Sequence, residues 1–93
     1  MHATIRNYAG GGALADALVE HEADIRALIS AVDGFRAYYV IRDPDGATTV
    51  SVFDDQAGAE ESTRVAATWV GENLGDLGVA PPQVTAGEVL IGL

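Results

Sequence analysis

Strand-like and helical hydrophobic patterns alternate along the chain in an order that few folds accommodate. Residues 3–8 carry β-branched and aromatic side chains over a strand's length, and three glycines at 10–12 follow them. Over residues 14–32 the apolar side chains recur at three- and four-residue spacing, which predicts one amphipathic helix of about five turns. The chain therefore opens with a strand and a helix joined by a glycine turn.

A hairpin, a second helix and a last strand complete the pattern. Residues 35–42 and 47–54 are strand-like, and the Asp-Pro-Asp-Gly segment between them suits a type I turn with a glycine bulge. Asp54 or Asp55 can cap the second helix. The inward stripe of that helix consists mostly of small side chains: Ala59, Thr63, Ala66, Val70 and Leu74. Two prolines then lead into a strand over residues 84–91.

This β-α-β-β-α-β order predicts a single ferredoxin-like α+β domain over residues 1–93, with two helices on one face of a four-stranded antiparallel sheet. The second strand is expected to place Phe35, Ala37, Tyr39 and Ile41 on one side, and Tyr38 and Val40 on the other. Because neither side is purely polar, the sheet face without helices needs an apolar cover.

A second copy of the chain is the expected cover. A domain of this length buries only about 60–65% of its unfolded surface on folding, and the chain contains no cysteine that could add a disulfide. Pairing through the open sheet face supplies the missing burial, and two-fold pairing is the commonest association of identical chains. The sequence therefore predicts a homodimer.

The net charge of −9, from 14 acidic and 5 basic side chains, limits the classes of partner. Nucleic-acid phosphates and anionic membrane surfaces repel such a chain, so neither is an expected partner. No apolar run approaches the roughly 20 residues that span a bilayer, and no leader-like pattern opens the sequence. We expect a cytoplasmic protein, and the lack of cysteine agrees with that compartment.

Three segments resemble stand-alone proteins of the antibiotic-biosynthesis monooxygenase (ABM) family. They are residues 33–39, with a glycine-aromatic entry to the second strand, residues 50–54, with an aromatic closing the third strand, and residues 66–70, with a tryptophan in the second helix. The resemblance covers almost the whole chain. It implies a dimeric α/β barrel with a pocket between helices and sheet, in which some members oxidise aromatic, polyketide-like substrates with oxygen and no cofactor.

The haem-degrading branch of that family resembles this chain at two positions. Asn7 and Trp69 match its asparagine and its haem-distorting tryptophan. Its axial histidine is expected about three helical turns beyond the tryptophan, and no histidine follows Trp69 in the sequence. The departure argues against haem cleavage by that arrangement.

Five residues are the candidate ligand contacts: Asn7, His21, Tyr39, Trp69 and Asn73. His21 lies beside the inward stripe of the first helix and is the candidate catalytic residue, because histidine exchanges a proton near neutral pH. Each has a structural alternative: His21 at the helix edge, Trp69 and Tyr39 as packing residues, Asn7 bonded to the glycine loop and Asn73 in water. No metal-ligand spacing occurs, so neither a metal nor a cofactor is expected.

Three function hypotheses remain open from the sequence. The first is a homodimer that binds a small apolar or aromatic molecule between helices and sheet, with cofactor-independent monooxygenation as its activity. The second is a non-catalytic dimeric module with a structural or protein-interaction role, which a pocket below about 300 Å³ would favour. The third is haem binding without the usual axial histidine.

Overall fold

A computed structural model describes residues 1–9, 12–78 and 80–93. The strands are β1 (His2–Ala9), β2 (Phe35–Asp43), β3 (Gly46–Phe53) and β4 (Gln83–Glu88). They form one antiparallel sheet in the order β2-β3-β1-β4. The helices α1 (Gly12–Glu20), α2 (Glu22–Ser30) and α3 (Gln56–Asn73) complete the fold, with a 3-10 turn at Gly75–Leu77. The predicted ferredoxin-like α+β fold is confirmed.

The single helix expected after β1 is two helices, because the chain departs from helical geometry at His21 (φ −100°, ψ 22°). Helical hydrogen bonds still cross the break: His21 N donates to Ala17 O at 3.1 Å, and Ile25 N donates to His21 O at 3.0 Å. The break therefore interrupts the helix without separating its two halves. The glycine turn predicted before this helix falls on Gly10 and Gly11, which lie outside the described residues, and α1 begins at Gly12.

The ends of the later elements have identifiable causes. Asp55 caps α3, since its Oδ1 accepts a hydrogen bond from Gly58 N at 2.9 Å. The last strand, predicted to reach residue 91, stops at Glu88 because its partner strand ends there: His2 is paired with Glu88. Beyond that pair, Val89 N still donates to Met1 O at 2.8 Å.

One sheet face packs against the helices and carries the core. Leu14, Leu18, Ile25 and Ile29 of α1 and α2 are buried there, together with Phe53. A register shift between Phe35 and Ala37 turns Phe35 onto this face, where its ring meets Phe53 edge-on at 5.9 Å. The expectation that Phe35 shares a side with Ala37, Tyr39 and Ile41 is therefore wrong.

The other sheet face is open and mostly apolar. The pairing register places these residues on it: Ala3, Ile5, Ala37, Tyr39, Ile41, Val50 and Val52. Tyr39 is 60% exposed and Ile41 46%. Strand β4 is exposed along its whole length. None of the helices in the described residues is long and apolar enough to cross a membrane.

Candidate functional site

An apolar cleft of about 430 Å³ opens between the two N-terminal helices and the edge strand β2. Its lining residues are Leu18, Val19, Glu22, Ile25, Arg26, Ile29, Ser30, Phe35, Tyr38 and Val40. The helices place aliphatic side chains on one wall, and the bulge at the start of β2 adds the Phe35 ring to the other. At the rim, Arg26 and Glu22 form an exposed ion pair at 2.6 Å. The volume lies in the range of small-molecule pockets, about 300–1,000 Å³.

A second, much smaller cavity of about 20 Å³ lies between the helices and the centre of the sheet. It has room for about one water molecule. Four residues line both spaces: Leu18, Ile25, Ile29 and Tyr38. The inner cavity is otherwise lined by the polar residues Arg6 and Thr49, by Tyr8 and Trp69, and by aliphatic side chains. Tyr38 and its three aliphatic neighbours thus separate the open cleft from a polar centre.

The polar centre is built on Arg6, whose side chain is only 2% exposed. Its guanidinium donates to Thr63 Oγ1 of α3, and lies 3.5 Å from both Ser51 Oγ of β3 and Ser62 Oγ of α3. The remaining donor, Nε, has no hydrogen-bond partner among the described residues. Thr49, which is paired with Arg6 across the sheet, has a buried Oγ1 that makes at most a weak hydrogen bond, with the Tyr38 hydroxyl, among the described residues. Hydroxyl groups therefore orient the guanidinium but leave its hydrogen bonding incomplete.

Arg6 also lacks a counter-ion in the described part of the chain. The five basic residues are all arginines, and the four exposed ones each pair with a carboxylate: Arg26 with Glu22, Arg36 with Asp54, Arg42 with Asp16 and Arg64 with Glu61. Across residues 1–9, 12–78 and 80–93, no carboxylate lies within 4.0 Å of Arg6. Its charge is opposed only by hydroxyl dipoles.

The two tyrosines beside Arg6 do not supply a negative charge. Burial raises the pKa of Tyr8, and the Arg6 charge only partly opposes that rise. Burial also raises the pKa of Tyr38, as does the neighbouring Tyr8, again against the effect of Arg6. Both hydroxyls therefore stay protonated at neutral pH.

Comparison with known proteins identifies the fold. No family model and no curated protein matches the sequence. The structure of MhuD, the haem degrader from Mycobacterium tuberculosis with two haems in its active site, matches with a TM-score of 0.73 at 12% identity, covering 100% of this chain and 99% of that one. A candidate antibiotic-biosynthesis monooxygenase from Bordetella bronchiseptica matches with a TM-score of 0.72 at 18% identity, covering 97% of both chains.

The chain has the fold of the antibiotic-biosynthesis monooxygenases. SnoaB, a cofactor-independent oxygenase from Streptomyces nogalater, shares this ABM fold with a TM-score of 0.67 at 14% identity, covering 99% of this chain and 95% of that one. The resemblance predicted from three short segments is thus confirmed at the level of the fold. At these identities the likeness carries the fold alone, so the chemistry has to be argued from the side chains.

Two of the five predicted site residues meet in this ABM fold. Trp69 lines the inner cavity. The His21 ring stands edge-on to it, with ring centroids 5.3 Å apart. His21 lies at the break between α1 and α2, its side chain is 37% exposed, and its Nδ1 is 3.4 Å from Asp24 Oδ2. His21 therefore supports the cavity wall from outside and is not among the residues that line either space.

The other three predicted residues lie away from the cleft. Asn7 is on the open sheet face, where its Nδ2 donates to Thr48 Oγ1 at 3.0 Å. Tyr39 is on the same face. Asn73 is exposed near the end of α3 and donates to Trp69 O at 2.9 Å. The alternative bond from Asn7 to the glycine loop involves Gly10 and Gly11, which lie outside the described residues.

Arg6 and Tyr38 were missed by the reasoning from sequence. The alternation of side chains along β1 separates two sides of the strand but does not say which side faces the helices. Arginine is also rarely buried without a partner, so Arg6 was not expected in the core. The sequence feature that could have indicated a buried arginine is the pair of hydroxyl residues Ser62 and Thr63 on the inward side of α3. Together with Ser51 they accommodate the guanidinium.

Iron porphyrin in the usual arrangement does not fit this site. An axial ligand to haem iron is ordinarily a histidine, cysteine, methionine or tyrosine side chain. No histidine, cysteine or methionine is among the described residues that line the two spaces, and the two tyrosines there are held protonated by burial. Haem binding is therefore not proposed.

Proposed function

We propose that this protein binds a small, planar, largely apolar molecule in the cleft between α1, α2 and β2. The observation that supports this proposal is the cleft itself. Its volume is about 430 Å³, with the Phe35 and Tyr38 rings on the strand side and aliphatic residues on the helix side. Such a space favours a ligand that can lie flat against aromatic rings.

Cofactor-independent oxygenation of that molecule is the proposed activity. Proteins with this fold include a cofactor-independent oxygenase and a haem degrader, and of the two chemistries only the first needs no axial ligand. In such a reaction the bound molecule itself supplies the electrons that reduce oxygen, and the protein excludes water and accepts a proton. The ring of His21 lies outside the lining of both spaces, so His21 would accept that proton through an intervening water.

The binding step can be tested with the neutral aromatic amide 2-naphthamide. We expect saturable binding to the wild-type protein, measured by titration calorimetry. A Val40→Trp variant, which fills the cleft from β2, should lose binding at least about tenfold. Ala27→Trp, which adds the same ring on the exposed side of α2, should bind normally. Equal binding by both variants would place the ligand elsewhere. The proposed activity is tested separately, by measuring oxygen uptake with a panel of electron-rich aromatic substrates.

We also propose that a second copy covers the open sheet face. Seven apolar side chains on that face have no cover within the described part of one chain, and two identical faces related by a two-fold axis would bury each other. This pairing leaves the cleft free, because the cleft is on the helix side of the sheet.

A non-catalytic interaction module is the second candidate, and the inner cavity favours it. That cavity holds only about 20 Å³, so the polar centre of the domain has room for about one water molecule. A module of this kind would form the dimer while binding neither aromatic probes nor oxygen-reactive substrates. The naphthamide titration separates the two functions.

A further inference from the structure

The chain has enough carboxylates to pair with every arginine, yet none of those in the described residues pairs with the buried Arg6. The chain carries 14 acidic side chains and supplies a carboxylate to every exposed arginine. The one arginine that is removed from water receives only hydroxyl groups from Ser51, Ser62 and Thr63. A buried cation of this kind is costly unless an anion joins it, because hydroxyl dipoles replace only part of its hydration.

The hydroxyl groups give this cation a fixed orientation. They engage the two terminal nitrogens of the guanidinium and leave Nε–H free. Delocalised oxyanions fit a guanidinium edge with two oxygens, which makes carboxylates and similar groups its natural ligands. Both Arg6 and Thr49 line the inner cavity. The polar centre is thus prepared for an anion that the protein does not itself contain.

We propose that the molecule bound in the cleft carries a carboxylate or an equivalent delocalised oxyanion, and that Arg6 is the residue that recognises it. This inference rests on the proposed function, since the same cleft admits the apolar part of the ligand. Leu18, Ile25 and Ile29 line both the cleft and the inner cavity, so an aromatic body in the cleft and its anionic group at Arg6 form one continuous site.

Tyr38 controls the passage between the two spaces. The inner cavity of about 20 Å³ is too small for a carboxylate beside the guanidinium, and Tyr38 lines both spaces. Its ring must turn away to admit the anion, and the cleft of about 430 Å³ offers the room to do so. Tyr38 is a positioning residue in this proposal, and Arg6 is the binding residue.

The test compares 2-naphthoate with the isosteric neutral 2-naphthamide at pH 7 and constant ionic strength. We expect the wild-type protein to bind the naphthoate at least about tenfold more tightly, which corresponds to one charge-assisted hydrogen-bond pair. Nonspecific electrostatics acts in the opposite direction, because a protein with a net charge of −9 repels anions. The preference would therefore report a local site.

Two variants assign the preference to one side chain. Arg6→Gln should lose the preference for naphthoate while binding naphthamide within about threefold of the wild type. Arg42→Gln removes another arginine from the helix side of β2 and should keep the preference. Retention of the preference in Arg6→Gln, or its loss in Arg42→Gln alone, would overturn the assignment.

The unmodified protein provides a measurement that does not depend on how a variant folds. It has five arginines, so its NMR spectrum holds five arginine Nε–H signals. Naphthoate should shift the Arg6 signal downfield by formation of a new hydrogen bond, and naphthamide should not. If naphthamide binds as tightly as naphthoate and the signal stays in place, the anion proposal fails while the cleft function stands. If neither probe binds, both fail.

Discussion

At position 6 the fold places an arginine where small domains ordinarily place an aliphatic side chain. The burial of Arg6 opposes the stability of the fold, and the hydroxyl groups of Ser62 and Thr63 do not depend on it for hydrogen bonding. Ser62 Oγ and Thr63 Oγ1 each donate to Ala59 O, at 2.7 and 3.1 Å. Removal of the guanidinium would leave these hydroxyl groups bonded.

Arg6→Met should therefore raise the free energy of unfolding by about 1–3 kcal/mol, because it removes a buried charge and keeps the volume of the side chain. Urea titration monitored by Trp69 fluorescence measures the change. The matched control Arg42→Met breaks an exposed ion pair with Asp16 and should shift stability by less than about 0.5 kcal/mol. A large loss of stability in Arg6→Met would show that the arginine is structural.

The two tyrosines beside Arg6 predict how stability depends on alkaline pH. The folded-state pKa values of Tyr8 and Tyr38 are raised above the ordinary value of 10.0, chiefly by burial. Their contribution to stability is complete below about pH 10 and is lost as the pH rises through the raised values, since the unfolded chain releases the protons first. The free energy of unfolding should therefore fall above pH 10. The double variant Tyr8→Phe, Tyr38→Phe should flatten this fall in denaturant titrations, and an unchanged slope would contradict the assignment.

The helix pattern fixed the side on which Trp69 lies, whereas strand alternation left the sides of Asn7 and Tyr39 undecided. Trp69 was expected at an edge of the buried face of its helix, and it lines the inner cavity. Asn7 and Tyr39 were expected at a pocket, but their strand side is the open one. Alternation gives a strand two equivalent sides, and only the packed helices decide between them.

Among the elements, α3 contains two glycines in contrasting surroundings. A Cβ at Gly58 would lie 2.7 Å from Asp33 O and 3.2 Å from Phe53 Cδ1. A Cβ at Gly71 would meet nothing within 4 Å. The first glycine is required by the close approach of the loop before β2, whereas the second costs helix stability without a packing reason.

Alanine substitutions should act in opposite directions at these two positions. Gly71→Ala should stabilise the protein by about 0.5–1 kcal/mol through helix propensity. Gly58→Ala should destabilise it by about 1–3 kcal/mol, because the backbone oxygen of Asp33 cannot move as a flexible side chain would. Thermal unfolding of the pair measures both effects in one helix. Stabilisation by Gly58→Ala would show that the loop adjusts freely.

The order and type of the elements could be predicted, but two single-residue irregularities could not. The apolar stripe continues through the break at His21, so nothing in the spacing marks it. The bulge after Phe35 likewise leaves the strand-like composition intact while moving the ring to the other face. Both departures come from packing between elements, and the second one builds the aromatic wall of the cleft.

For the whole molecule, the open sheet face predicts the state of association. We expect a dimer that dissociates when a charge is placed on that face, because an unpaired charge in an apolar interface is costly. Ile41→Arg should give the monomer mass in sedimentation velocity at micromolar concentration. Val19→Arg places the same charge on the helix side at an equally apolar, exposed position and should remain dimeric. A monomeric wild-type protein would contradict the proposed cover.

The position of β1 inside the sheet also determines when the domain can form during synthesis. This strand is made first, yet both of its neighbours, β3 and β4, are made later, and β4 last of all. Only β2 and β3 are joined by a tight turn and can pair as soon as they leave the ribosome. Until the last strand emerges, β1 has at least one edge without its final partner. A nascent chain stalled before Gln83 should therefore be the species that chaperones bind most tightly.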